Sequence, residues 1–325
     1  MKQTDTVNSS NNRIKTIIKL CGRILSVLSV IFVAVKIYRL GFDIRSIDNV
    51  VAFIVVFLLV LIFKVLSVVS SAAAWGKWIS FLSKQKIRYS SVFTIYGKAG
   101  IGKYLPGNVM HYVERNVFAS EYGLPQTKIA FGSVIEVAEL VLTAFLMAIF
   151  LLPNAFKLKI IEMISSERSI LLISGLLMLA LLIIIAAVIG IRKLKLITII
   201  REYEPKEFVV SLLITLFEYG MSLTLLATGM VFLCVYCNKT IPSADELRLI
   251  LSSYSTAWVC GFVIPGASGG IGIREAVLTM LLDGVASGPV LMFVIVVHRL
   301  ITIIGDFVVY AFVVGKEFFL RKIVH

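Results

Sequence analysis

The chain has 325 residues, 59% of them hydrophobic, a mean hydropathy of +0.97 and a net charge of +13. Apolar runs fill most of it, so no connecting piece is long enough to fold as a soluble catalytic domain. The excess of Lys and Arg does not point to nucleic acid, because it gathers in short segments flanking the apolar runs, as in membrane proteins.

Residues 1–22 read as a polar, basic tail. The apolar core that follows has no small-x-small cleavage site, because Lys36, Ile37, Tyr38 and Arg39 come next, so an uncleaved first span is expected. About 20 apolar residues cross a bilayer. Six spans are predicted on that basis: Arg23–Tyr38, Val50–Ala74, Ile129–Leu152, Ser169–Ile191, Phe208–Cys234 and Val285–Gly315. Segments 1–23, 73–88, 191–207 and 316–322 hold seventeen Lys and Arg, whereas 39–49, 153–168 and 237–248 hold seven. That bias places both termini, including the 316–325 tail, on the cytoplasmic side of the cell membrane.

Two stretches break the apolar pattern. Gly97–Arg115 reads GKAGIGKYLPGNVMHYVER, and Pro265–Glu275 reads PGASGGIGIRE. Pro106-Gly107 and Pro265-Gly266 lie 159 residues apart, and Glu114-Arg115 and Arg274-Glu275 follow at nearly equal distances. Pro removes a backbone donor and Gly permits the turn. Leu247–Ile264 is long enough for another span, but counting it as one would put Lys316, Arg321 and Lys322 outside, against the charge bias. The expectation is therefore two re-entrant hairpins. One covers about 88–123 and turns at Pro106-Gly107; the other covers about 247–283 and turns through Pro265, Gly266, Gly269 and Gly270. The fold class is an all-α polytopic membrane protein with six full spans plus two re-entrant helical hairpins. Residues 23–152 and 169–315 form an inverted-topology repeat, an arrangement that marks transporter binding sites.

Where the hairpin tips meet, fresh helix N-termini would offer unpaired N–H groups and the positive end of the dipole to an anion. Lys103, Arg115, Arg274 and Arg299 are the candidate cations, Arg suiting phosphate because its fork binds two oxygens. Asn108, His111 and Ser268 are candidate donors or caps. Charge pairing across the two hairpins is expected, together with ligand contact, rather than self-neutralisation within Glu114-Arg115 and Arg274-Glu275. Glu136 and Glu139 share a helix face, Glu218 lies mid-span, Glu275 sits in the second hairpin, and His298 and Asp306 lie in the last span. Two readings of these groups stay open: proton carriers, or counter-ions for the buried arginines. Lys64 interrupts the second span and either joins this cluster or borders a polar groove.

Some apparent motifs carry nothing. GKAGIGK at 97–103 ends on Tyr104 where a nucleotide-binding loop needs Ser or Thr, and Pro106 breaks the helix such a loop requires. Cys234 and Cys237 form a lone CxxC, read as small apolar filler. Trp75, Trp78 and Trp258 are read as interface or packing residues. No cofactor and no metal site is expected.

The Lys103-Tyr104-Leu105-Pro106-Gly107 element, together with Pro265-Gly266, Gly270, Gly272, Arg274 and Glu275 before a final long span, resembles the flippase-like transmembrane region of lysylphosphatidylglycerol synthases. The likeness runs from about residue 20 to 318 and departs at the inserted Ala267-Ser268-Gly269. It implies translocation of a lipid between leaflets by a stand-alone member without the aminoacyl-transferase domain. The partner is then a membrane lipid with an anionic headgroup, or a polyprenyl-phosphate-linked glycan. Two alternatives remain open: a membrane enzyme on lipid phosphates using Glu136, Glu139 and His111, or an anchoring partner of a cytoplasmic lipid- or glycan-modifying enzyme. Homo-oligomerisation is also open.

Overall fold

The computed structural model describes residues 48–104, 109–154, 203–263, 270 and 272–324. These residues form eight helices and no strand. They are α1 Val50–Ser83, α2 Tyr89–Ala99, α3 Met110–Ser120, α4 Gln126–Phe150, α5 Pro205–Asn238, α6 Ala244–Val263, α7 Ile273–Leu281 and α8 Gly288–Val324. A 3₁₀ turn, Gly100–Tyr104, follows α2 directly. Four helices, α1, α4, α5 and α8, are long and apolar enough to cross a membrane, so the chain is an all-helical membrane protein. They correspond to four of the six predicted spans; Arg23–Tyr38 and Ser169–Ile191 lie outside the described residues.

Helices α1 and α5 are the axis of the bundle. Each has 34 residues, about 50 Å of helix, which exceeds a bilayer's apolar core. They overrun the predicted spans because local signals, not hydropathy, end them. The Asn49 side chain accepts from Ala52 N at 3.1 Å to start α1, and Pro205 occupies the first turn of α5. Each stops at a lysine in the left-handed region, Lys84 and Lys239, both at φ 56. The two helices run antiparallel. Tyr203, just before α5, donates to Leu82 O near the end of α1, while Tyr236 near the end of α5 donates to Asn49 O at 3.2 Å. At that second end Lys239 Nζ donates to Asp48 Oδ2 at 2.7 Å, which holds the exposed carboxyl below its usual range.

The helices touch at matched positions. Ser67 and Ser222 are each the eighteenth residue of their helix, counting from Val50 and Pro205, and their Oγ atoms lie 2.7 Å apart. Ser71 Oγ adds a bond to Ser222 Oγ at 2.8 Å. Small hydroxyl side chains allow this close contact and satisfy one another inside it.

Two shorter helix pairs enter from opposite ends. Helix α2 starts just past the end of α1 and packs on α3, whereas α6 starts just past the end of α5 and packs on α7. A Ser243–Glu246 capping box begins α6, with Ser243 N donating to Glu246 Oε2 at 2.8 Å. Gly270 and Gly272, at φ +74 and +92, supply the left-handed turn leading into α7. The breaks themselves, Pro106, Gly107 and Asn108 in one pair and Pro265, Gly266, Ser268 and Gly269 in the other, lie outside the described residues. Helix α8 runs parallel to α1, with Phe53 against Phe293 and Lys64 against Asp306. The apolar core forms where α5, α6 and α8 meet, around Met230, Ile250, Val294 and Ile301. Val, Leu and Phe side chains of α1 and α5, such as Leu58, Leu213 and Phe217, point outward.

Close packing of α1 on α2 depends on Gly76, where a Cβ would lie 2.5 Å from Val92 Cγ1. Val92 is β-branched and cannot swing away. Gly76→Leu should therefore cost about 2 kcal/mol or more. Gly315→Leu, with no atom within 4 Å, should be nearly neutral. Unfolding in detergent measures both.

Candidate functional site

A cavity of about 160 Å³ opens where α1 and α5 cross, and all eight helices and the 3₁₀ turn contribute to its wall. It has room for several waters, at ~10–15 Å³ each. Ser67 and Ser222 line it, so it lies at mid-length of the antiparallel pair α1 and α5. Its lining holds five cations, Lys64, Lys103, Arg115, Arg274 and Arg299, against two carboxylates, Glu136 and Asp306.

Asp306 on α8 anchors one wall. Lys64 Nζ from α1 lies 2.9 Å from Oδ1, while Lys103 Nζ at 2.5 Å and the Tyr104 hydroxyl at 2.6 Å both reach Oδ2. One carboxylate thus holds two lysines, giving each the counter-charge that burial requires and leaving one positive charge over. Gly305 makes this possible, since a Cβ there would strike Lys64 Cγ at 2.4 Å.

The opposite wall is built on Arg115 of α3. Its guanidinium pairs with Glu136 on α4 and lies 4.1 Å from the ring centroid of Tyr96, whose hydroxyl donates to Glu136 Oε1 at 2.9 Å. Both charged residues are buried. Cation–π contact and a charge-assisted bond together fix the planar group. His111, also buried, faces the cavity from the same helix, its Nδ1 without a hydrogen-bond partner among the described residues.

The second pair repeats this chemistry with the signs exchanged. On α7, Glu275 accepts from Gly272 N and lies 3.7 Å from Arg299 Nε on α8. The neighbouring Arg274 stacks 5.6 Å from the Trp258 ring centroid of α6, its stem against Gly261 and Gly270. No carboxylate meets Arg274 among the described residues, and its Nε is buried without a hydrogen-bond partner.

The pairing differs from expectation. No charge of one broken stretch pairs with a charge of the other among the described residues; each return helix pairs with the long helix that follows it. The reason is proximity, because α3 leads into α4 and α7 into α8 through short links. The structure brings Lys103, His111, Arg115, Arg274, Arg299, Glu136 and Asp306 together at the cavity. Glu275 stands behind Arg299. Glu114 lies beside Gly102 rather than in the cavity lining, and Glu218 points to Lys77 at 3.7 Å. His298 sits behind the wall, its Nε2 2.9 Å from Leu226 O and its ring edge-on to Tyr254. Glu139 is buried nearby without lining the cavity. The described residues contain no metal-holding cluster. Trp75 and Trp78 are wholly buried packing residues.

Tyr96, Tyr104, Trp258 and the three serines were not foreseen as site residues. Ser67 and Ser71, one turn apart in an apolar span, carry a readable signal of a polar helix face. The aromatic residues carry none, because rings are common throughout this sequence. Compared with known proteins, the chain matches no family model, no curated protein and no solved structure.

Asp306→Asn would leave two lysines facing one another and should cost about 3–5 kcal/mol. Adding Lys64→Met should recover much of that loss. Unfolding of the purified variants in detergent checks both values.

Proposed function

We propose that this protein is a membrane translocase that passes a lipid with an anionic headgroup between leaflets, its acyl chains remaining in the bilayer. The carrying observation is the cation excess of the cavity at the crossing of α1 and α5. In a site of effective dielectric ~20, a phosphate about 4 Å from one uncompensated cation gains about 4 kcal/mol, against about 1 in water. That difference favours an anion over neutral cargo. Arg274, held by a ring rather than a carboxylate, is the phosphate contact, with Lys103 and Arg299 beside it.

In this reading the architecture is six full spans with two re-entrant hairpins related by an inverted repeat. The antiparallel 34-residue helices support it, as do the matched Ser67 and Ser222, the matched caps Lys84 and Lys239, and helix pairs entering from opposite ends. Backbone broken at membrane depth is tolerated where it borders a polar cavity. The choice of a lipid rests on the motif resemblance at Lys103–Gly107 and Pro265–Glu275. Both termini would face the cytoplasm of the cell membrane.

Reconstituted protein should move a fluorescent anionic lipid between leaflets. Arg274→Ala should lower the rate by at least about tenfold, equivalent to 1.4 kcal/mol of lost stabilisation. Equal movement in empty and protein-containing vesicles, across several lipid classes, would reject the proposal.

A further inference from the structure

Three carboxyls are buried among the described residues: Glu136, Glu139 and Asp306. Glu136 has Arg115, and Asp306 has Lys64 and Lys103. The half-buried Glu218 and Glu275 have Lys77 and Arg299. Glu139, only 2% exposed, has no ion-pair partner among the described residues. Its contacts are two neutral groups. Trp78 Nε1 donates to Oε2 at 2.8 Å, and Thr215 Oγ1 lies 2.7 Å from Oε1. An ionised carboxylate in apolar surroundings, with neutral donors alone, is strongly disfavoured relative to the acid.

Thr215 gives this site its chemistry. Its Oγ1 also lies 2.8 Å from Ser211 O and 3.1 Å from Leu212 O, yet a hydroxyl has one proton to donate. Backbone carbonyls only accept. When the threonine donates to Ser211 O, the contact to Glu139 is satisfied if Glu139 carries a proton and donates it to Oγ1. When Glu139 releases that proton to water, the Thr215 hydroxyl can turn and donate to the carboxylate, while Trp78 donates in both states. The pocket can therefore hold either form.

We infer that Glu139 is a proton-binding site, occupied as the neutral acid at neutral pH and able to release its proton without rearrangement of the helices. The surrounding groups agree. From α1 come Trp78 and Lys77, the latter turned to Glu218; from α5 come Thr215, Glu218 and Tyr219; from α2 and α3 come Tyr96 and Arg115, both engaged with Glu136. Helix α6 packs on α4, and its charges Asp245, Glu246 and Arg248 lie at its outer end. Among the described residues no cation is left over for Glu139. Thr143 and Tyr219, one turn further along α4 and α5, have buried hydroxyls without hydrogen-bond partners among the described residues and offer the next polar stations. Glu136, one turn away, lines the cavity, so a change of charge at Glu139 reaches the cargo site. Coupling of that proton to transport rests on the translocase reading; the proton site itself does not.

Infrared spectroscopy of the purified full chain in vesicles at neutral pH tests the site. The expected result is a protonated-carboxyl C=O band that is lost in Glu139→Gln and shifted in Thr215→Val, which keeps the shape and removes the hydrogen-bond partner. Absence of the band, or a band unchanged in either variant, overturns the inference. Thr215→Val decides the matter even where Glu139→Gln fails to fold. Lipid movement is followed in the same vesicles. A band behaving as expected without lipid movement supports the proton site and rejects the translocase, whereas lipid movement with no such band rejects the site alone.

Discussion

A charge withdrawn from water into a helix bundle needs a counter-charge, and that requirement organises the interior of this protein. Asp306 binds α8 to α1 through Lys64 and to the 3₁₀ turn through Lys103. Glu136 binds α4 to α3 through Arg115. Glu275 faces Arg299 across α7 and α8. The Lys103, Arg115 and Glu275 pairs each tie a short helix or turn to a long one, so the same ions that neutralise each other also locate the broken elements. Replacing them by apolar residues of similar volume need not weaken the bundle. Their use lies in positioning, and in leaving positive charge over at the cavity.

The two broken stretches solve similar local problems with different residues. In one, the guanidinium of Arg115 lies over Tyr96 and binds a carboxylate. In the other, Arg274 lies over Trp258 and its neighbour Glu275 takes the ion-pair role. The reversed order, Glu114-Arg115 against Arg274-Glu275, places an arginine with a carboxylate in the first stretch and frees one in the second. That asymmetry makes the second stretch the proposed phosphate contact. The first is a braced wall.

Much of the helical content was legible because four apolar runs exceed what a soluble core helix needs. Their ends were not. Lys84 and Lys239 terminate α1 and α5 through backbone conformation, which hydropathy cannot register. Among the candidate site residues, the cations were legible because Arg and Lys in apolar surroundings stand out. Their partners were not, since choosing between Glu114, Glu136 and Glu275 for Arg115 depends on which helix faces which. Lys64 was visible as an interruption, but its bond to Asp306, 242 positions away by residue number, is a property of the parallel packing of α1 and α8. Glu139 stood beside Glu136 in sequence as an equal; among the described residues the contacts separate an ion-paired carboxylate from one held by neutral groups.

The central claim is that the positive cavity at the α1–α5 crossing receives a negatively charged headgroup. A structure determined in a bilayer of native lipids tests it most directly. The account predicts headgroup density between Lys103, Arg274 and Arg299, with acyl chains leading out to the bilayer. A cavity holding only water, with every lipid phosphate at the outer surface in lipid-saturated samples, would contradict it.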